Sequence, residues 1–477
     1  MLTTRRLFQI MLFGGLFALA LQNVTDGDFW WHLRTGQYIL ETGSIPHQDI
    51  FSYTFAGHEW VTHEWLSQIL IAGLYRLGGF PLLILVFAGI TSTSFFIAFR
   101  RSTGNIYIAA LATLVGALAT AILWDVRPQI IALLLTSIEF WILDRYRANK
   151  QTRAIWFLPL LMLVWVNAHG SFMLAPALVA LTIVGEIGGR AREGLSSIIR
   201  ASRDQLRLAV SGVLLLLAIS LNPNGLRMYA YPFEVLNENS IQSFINEWQS
   251  PDFHRIELLP FAVFILAVVF VLAVGRRRPS FTLVLFLVFT LFESLRSVRF
   301  IPLFVLTGIP LVADSLPPLS GKLTRVPRWM TVSNAALLVL LSIAIGYYAG
   351  LVFEAQPKAE QADFPVTAVD YLEREKPAGR LFNMYEWGGY VMWRLYPEQP
   401  VFIDGRSDVY GAFIVDYLEV YRGASNWRSV LDRYGVGLVL VSPQAPIATL
   451  LSLDSNWIKL FEDERAVLFQ RLGQLPK

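Results

Sequence analysis

The 477-residue chain contains no cysteine. Disulfides, thiolate nucleophiles and cysteine-ligated zinc are therefore excluded. Charge is scarce as well. Asp, Glu, Lys and Arg together make up 16% of the residues, against about 25% in a soluble domain. The net charge of +3 comes without a basic stripe interleaved with stacking aromatics, so nucleic acid is not an expected partner. No serine sits in a G-x-S-x-G context, which disfavours a serine hydrolase. Neither a Walker A motif nor a G-x-G-x-x-G is present, and no fixed-period repeat is visible.

What the chain has in abundance is apolar sequence: 55% of its residues are hydrophobic and the mean hydropathy is +0.49. Repeated apolar runs near 20 residues long mark a polytopic membrane protein. About eleven spans are expected, near 7–23, 80–99, 106–123, 129–143, 154–168, 171–187, 207–221, 258–275, 280–293, 297–314 and 331–351. The first follows Arg5 and Arg6 and lacks a small-residue cleavage site, so it reads as an uncleaved span rather than a signal peptide.

The connecting loops alternate in charge. One set carries nineteen basic residues: Arg5 and Arg6; Arg100 and Arg101; Arg145, Arg147, Lys150 and Arg153; Arg190, Arg192, Arg200, Arg203 and Arg207; Arg276, Arg277 and Arg278; and Lys322, Arg325 and Arg328. The other set, longer in total, carries seven: Arg34, Arg76, Arg127, Arg227, Arg255, Arg296 and Arg299. The positive-inside rule places the first set, and the N-terminus, in the cytoplasm. The second set holds the Trp, Asp, His, Asn and Pro clusters, which is what a protein with outward-facing chemistry requires. The predicted fold is therefore mainly α: a membrane helical bundle over 1–354 with a long first outer loop, 24–79, and a C-terminal extracytoplasmic α/β domain over 355–477. In that tail, "PVFIDG" and "VGLVLVSP" read as short strands, "AVDYLERE" and "WRSVLDRYG" as amphipathic helices, and "WIKLFEDERAVLFQRL" as a hairpin turning at "EDER".

The most concentrated chemistry lies in "VTDGDFWWHLRTG", Val24 to Gly36, where the first apolar run ends. Part of it reads as structure. Thr25 can cap a helix from Asp26 with Asp28 closing a capping box, Trp30 and Trp31 can lie at headgroup level, Leu33, Ile39 and Leu40 can face the membrane surface, and Gly43 can end the helix. A cap needs one carboxylate, however, and Asp26 and Asp28 supply two. Such a D-x-D pair at a membrane boundary suits Mg²⁺ or Mn²⁺ shared with a substrate phosphate, or one Asp acting as general base on an acceptor hydroxyl. His32 shares the face of Asp28, and Arg34 follows.

Further substrate-binding candidates are spread over the outer loops. "GHEWVTHEWL" (57–66) brings His63 and Glu64, on a Trp-anchored helix expected over 63–77. His58 and His63 are five apart, about 140° around a helix, so the H-E-x-x-H zinc geometry is missing. "WDVRPQ" offers Asp125 and Arg127, otherwise a local ion pair. "NAHG" places His169 in a tight turn. Arg296 and Arg299, near the outer end of a span, can hold a lipid phosphate bidentately or snorkel to headgroups. In "YEWGGYVMWRLYPEQPVFIDGRSDVYG" (385–411), Gly388 and Gly389 imply a close backbone approach, and Asp404, Arg406 and Asp408 form either a bracing network or part of a loop over the membrane site.

A short N-terminus, one span and then an acidic D-x-D motif in a long first outer loop resembles the GT-C class of membrane glycosyltransferases. "DGDFWWHLRTGQYILETGSIPHQDIFSYT", "HEWL", "RPQ", "NAHG", "NPNG" and "FIDGRSDVYG" are similar to a group of bacterial multi-spanning proteins of that type. The resemblance implies a polyprenyl-phosphate-type sugar donor used at the outer face of the bacterial inner membrane. It also implies Asp26 and Asp28 at the active site and a basic residue on a later span, such as Arg296 or Arg299, at the lipid phosphate. The tail lacks a W-W-D-Y-G motif, which counts against asparagine-linked transfer, and no second D-x-D follows in a later outer loop. The expectation is a glycosyltransferase with an extracytoplasmic acceptor. Against it stand a non-enzymatic envelope scaffold or transporter component, and a GT-C fold that binds lipid-linked sugar without turnover. A transporter should show internal symmetry with midplane charges, whereas the polar residues here sit at the outer rim.

Overall fold

The computed structural model describes residues 4–237, 245–275, 278–316 and 328–473. Of the basic loop residues above, Arg276, Arg277, Lys322 and Arg325 lie outside the described residues. Each of the eleven apolar segments is helical. Among the described residues six helices are long and apolar enough to cross a membrane: Trp65–Arg101, Ile106–Leu123, Gly170–Gly188, Ile256–Val274, Val298–Ser315 and Val332–Asp363. A seventh candidate, Leu195–Asp204 with Leu206–Leu221, is bent by 47°. The remaining apolar helices are shorter or more polar.

Helix α1 (Thr4–Ala20) runs to the first outer loop, where α2 (Gly27–Thr42) begins. Gly43 closes α2 in the left-handed conformation, φ 69°, with its N–H bonded to Ile39 O, as the sequence suggests. The cap differs by one residue from expectation. Asp26, not Thr25, accepts from the N–H of Asp28 at 2.7 Å, so Asp28 sits inside the first turn and closes no capping box. The aromatic face of α2 is also not left open to headgroups. Trp30 is fully buried, with Tyr390, Trp393 and Phe364 at ring distances of 4.8, 4.6 and 5.3 Å. Leu33 and Ile39 are buried too, and only Leu40 is exposed. Helix α2 is thus packed between α3 (Trp65–Arg101) and the tail rather than floating on lipid.

Helix α3 breaks at Gly78 and Gly79, the latter at φ 60°, ahead of Pro81. The break separates the helix that follows Glu64 from the apolar span, close to the division the sequence implies. Helix α4 (Ile106–Thr120) then leads through "WDVRPQ" to α5 (Pro128–Ala148), with Pro128 in the first turn where its missing N–H is harmless.

The tail carries a four-stranded sheet: β1 (Arg380–Asn383), β2 (Val436–Val441), β3 (Trp457–Glu462) and β4 (Val467–Arg471), in the order β1-β2-β4-β3. β1 and β2 are parallel; the β3–β4 hairpin adds antiparallel. Strand β2, the hairpin and both amphipathic helices lie where the sequence puts them. "PVFIDG" does not join the sheet. Its Val401 bridges Ser52 of the first outer loop, and β1, a run of four residues, takes the place beside β2. Helix Arg328–Asp363 runs without interruption past residue 355 into the start of the tail.

Candidate active site

At the end of the bundle that carries α2 lies a cavity of about 970 Å³. One part is lined by the first turn of α2, the turn before α5, the loop around Glu247, and the tail segments at Tyr385–Glu386 and Gly405–Asp408. The other part is apolar and descends between spans, past Ile130, Leu133, Leu174, Phe289 and Leu303. The pocket therefore offers polar contacts and a hydrocarbon-like groove in one continuous volume.

Arg127 organises the polar part. Its Nη1 donates to Asp26 Oδ2 and its Nη2 to Asp28 Oδ2, both at 2.7 Å, and Nη1 also donates to Glu247 Oε1 at 2.7 Å. Arg127 thus pairs with three carboxylates from two other segments, not locally with Asp125. Asp125 instead accepts the N–H groups of Val126 and Asp26, at 2.6 and 3.1 Å, tying the two loops together. Burial pushes the Asp28 carboxyl up to about 7 against the pull of Arg127, and burial beside Asp26 pushes Asp125 up to about 8. Trp31 Nε1 donates to Asp28 Oδ1 at 3.1 Å, which fixes the carboxylate plane.

Arg296 and Arg299 both line the cavity. Arg299 Nε lies 4.0 Å from Glu247 Oε2, and its guanidinium stands 5.0 Å from the Trp248 ring. Glu247 was not singled out by the sequence. It sits in a single 3-10 turn, Asn246–Trp248, with no apolar periodicity around it, and only its three-dimensional place between two arginines gives it weight.

A second polar group shares the cavity. Glu64 is surrounded by three imidazoles, with His63, His169 and His32 Nε2 atoms 3.6, 3.7 and 3.8 Å from its oxygens. His169 Nδ1 accepts from the Ser171 N–H, so its Nε2 carries the proton facing Glu64. Burial would raise Glu64, but the three imidazoles outweigh it and hold the carboxyl well below the usual range. Burial drives His32 and His169 down to about 3, whereas Glu64 raises His63 despite burial. Tyr231 packs on the His63 ring at 4.5 Å and donates to Asp408 Oδ2 at 3.2 Å.

The remaining predicted residues sit elsewhere. Asp404 and Arg406 form a fully buried pair: Nε to Oδ1 at 2.8 Å and Nη2 to Oδ2 at 2.7 Å. Arg406 Nη1 lies 2.7 Å from Asp49 Oδ1 of the first outer loop. This network braces the tail on the loop. Arg406 borders the cavity, but its guanidinium is committed to carboxylates. Arg34 points away, to Glu41 and the Tyr396 ring. The close approach expected of Gly388 and Gly389 is real: Gly388 packs on the backbone at Ile403 and Asp404, and Gly389 on α2. A β-carbon on Gly389 would lie 2.6 Å from Gly27 O, and one on Gly27 would lie 2.6 Å from Glu386 O.

The fold has structural counterparts. The archaeal oligosaccharyltransferase AglB from Archaeoglobus fulgidus, in complex with an inhibitory peptide and a dolichol-phosphate, superposes with a TM-score of 0.56 at 10% identity, over 98% of this chain and 75% of that one. ArnT from Cupriavidus metallidurans, bound to undecaprenyl phosphate, superposes with a TM-score of 0.51 at 13% identity, over 98% and 99%. The chain has a GT-C fold. No family profile and no curated protein matches its sequence, so the likeness lies in the backbone. A further AglB structure, a complex with Zn and sulfate, superposes with a TM-score of 0.53 at 11% identity, over 93% and 69%. Among the described residues of this chain, no group of three or more His, Asp or Glu side chains is arranged to hold a metal ion. The two carboxylates of the D-x-D pair both face the Arg127 guanidinium, which fills the position a shared cation would take. As they stand, these residues do not fit a divalent ion.

Proposed function

We propose that this GT-C protein is an inverting glycosyltransferase of the bacterial inner membrane, moving a sugar from a polyprenyl-phosphate-type lipid donor to an extracytoplasmic acceptor. The observation that carries the reading is the Asp26–Arg127–Asp28 arrangement at the head of a cavity whose other wall is apolar. Such a pocket accepts a molecule that is hydrocarbon at one end and anionic at the other. The dolichol-phosphate of the AglB structure and the undecaprenyl phosphate of the ArnT structure are molecules of that kind.

In this reading the prenyl chain lies against Ile130, Leu133 and Leu303, and Arg299 with Arg127 receives the phosphate. Asp28 takes the acceptor proton as the acceptor oxygen attacks the anomeric carbon and the bond from that carbon to the phosphate oxygen breaks. A carboxyl near neutrality suits that role, because it can be ionised before the step and hold the proton after it. The negative charge left on the phosphate develops beside fixed guanidiniums in a partly dry site, where their field is stronger than in water. His32, His63, Glu64 and His169 then face the sugar.

The test is transfer from a panel of radiolabelled polyprenyl-phosphate sugars into native envelope extracts, with wild type and Asp28→Asn. Transfer by wild type with at least about 100-fold loss in a folded Asp28→Asn supports the reading. Binding of no donor, or equal transfer by the variant, turns it down in favour of a scaffold or transporter component.

A further inference from the structure

Glu247 holds two arginines with one carboxylate. Oε1 accepts from Arg127 Nη1 at 2.7 Å, and Oε2 stands 4.0 Å from Arg299 Nε. The second distance is too long for a hydrogen bond, and Arg299 Nε is buried with no hydrogen-bond partner. The carboxylate therefore satisfies one guanidinium and leaves the other incomplete. A tetrahedral phosphate projects oxygens in more directions than a planar carboxylate, and arginine matches phosphate oxygens well.

Charge makes the same point. Asp26, Asp28 and Glu247 already surround Arg127. A phosphate arriving beside them with Glu247 in place would crowd four acidic groups around Arg127 and Arg299. Replacing the carboxylate by the phosphate restores the present balance. The main chain need not move for this. Ser297 Oγ donates to Glu247 O at 2.8 Å and Val298 N to Gln249 O at 3.0 Å, so the loop is pinned to the turn that carries Arg299.

We propose that the Glu247 carboxylate occupies the phosphate seat between Arg127 and Arg299, and that an incoming phosphate displaces it by side-chain rotation. Glu247 is thus a positioning residue that keeps the two guanidiniums aimed at one point and competes with the ligand for it. The inference rests on the donor-phosphate reading above and adds a competitor to it.

The experiment is calorimetric binding of geranyl phosphate, and separately of inorganic phosphate, to the full-length protein in detergent. Wild type, Glu247→Gln, Glu247→Ala and Arg299→Gln are compared, each checked for an unchanged melting transition. Glu247→Gln keeps the size of the side chain and removes its charge. The expected result is geranyl phosphate binding at least about tenfold tighter in Glu247→Gln, with binding weakened in Arg299→Gln. A gain confined to geranyl phosphate assigns the seat to a lipid headgroup; an equal gain with inorganic phosphate assigns it to phosphate as such. Equal or weaker binding by both Glu247 variants, with wild-type binding intact, overturns the competition and leaves the donor reading standing. If no variant and no wild type binds either phosphate, both fall.

Discussion

Gly405 of the tail touches Asp28 of the first outer loop: a β-carbon built on Gly405 would run into Asp28 Oδ1 and lie 3.0 Å from Trp31 Nε1. The tail is thus part of the wall that sets the position of Asp28.

Gly405→Ala should therefore push Asp28 and Trp31 off their present geometry without removing any functional group. A displacement of about 1 Å at a reacting carboxylate is expected to lower transfer roughly 100-fold. The check is kcat for transfer alongside donor affinity. The variant should lose kcat with donor binding largely kept, and an unchanged kcat would mean that Asp28 is not the base.

The pH dependence of transfer follows from the Asp28 carboxyl being pushed up to about 7 by burial. A base must be ionised to accept a proton, so transfer should rise with pH and level off above about 7, falling tenfold per unit on the acid side. A rate flat from pH 5 to 8 would remove Asp28 from the proton transfer.

Stability should carry a different pH signature at Glu64. His63 is raised by Glu64, so its contribution is full below its unfolded value of 6.5 and lost as pH rises through the raised folded value. Glu64 is depressed, so its contribution is present above its unfolded 4.5 and lost only in acid. The pair is therefore at full strength between these limits. Glu64→Gln should lower the melting temperature clearly at pH 5.5 and by less at pH 9. A gap that widens with pH would contradict a charged His63–Glu64 pair.

Arg406→Met should leave Asp49 and Asp404 buried and unpaired. Removing one partner of such a network costs roughly 3–5 kcal/mol. The expected result is a lower melting temperature and faster protease cleavage between the tail and the first outer loop, with the sheet itself retained. Adding Asp49→Asn and Asp404→Asn to that variant should recover part of the loss.

Much of the fold was legible because the membrane leaves few solutions. Apolar length and loop charge locate the helices, and the turn residues around Gly435 and "EDER" locate the helix end and hairpin of the tail. That the two carboxylates do more than cap could be read, since a cap needs one; both turn on Arg127. Three things could not be read. Trp30 looks the same in a membrane interface and in a buried seam, and only the tail's Tyr390 and Trp393 decide between them. Arg127 and Asp125 are near in sequence, but the guanidinium pairs across the cavity because Asp26, Asp28 and Glu247 converge there. β1 spans only four residues, too short for alternation to stand out, while the longer apolar run "PVFIDG" reads as a strand and makes only a single bridge to Ser52.

Trp30 lies between α3 and aromatics at Phe364, Tyr390 and Trp393. A residue from the first thirty therefore finds its neighbours more than three hundred positions later. During synthesis α2 is made early, and its Trp30 stays uncovered until the final quarter of the polypeptide has been made. The same wait applies to Asp28, whose setting is completed by Gly405. Completion of the cavity around the carboxylate pair is thereby tied to completion of the chain, and a stalled or truncated copy holds the apolar part of the cavity without the tail segments that close its polar part.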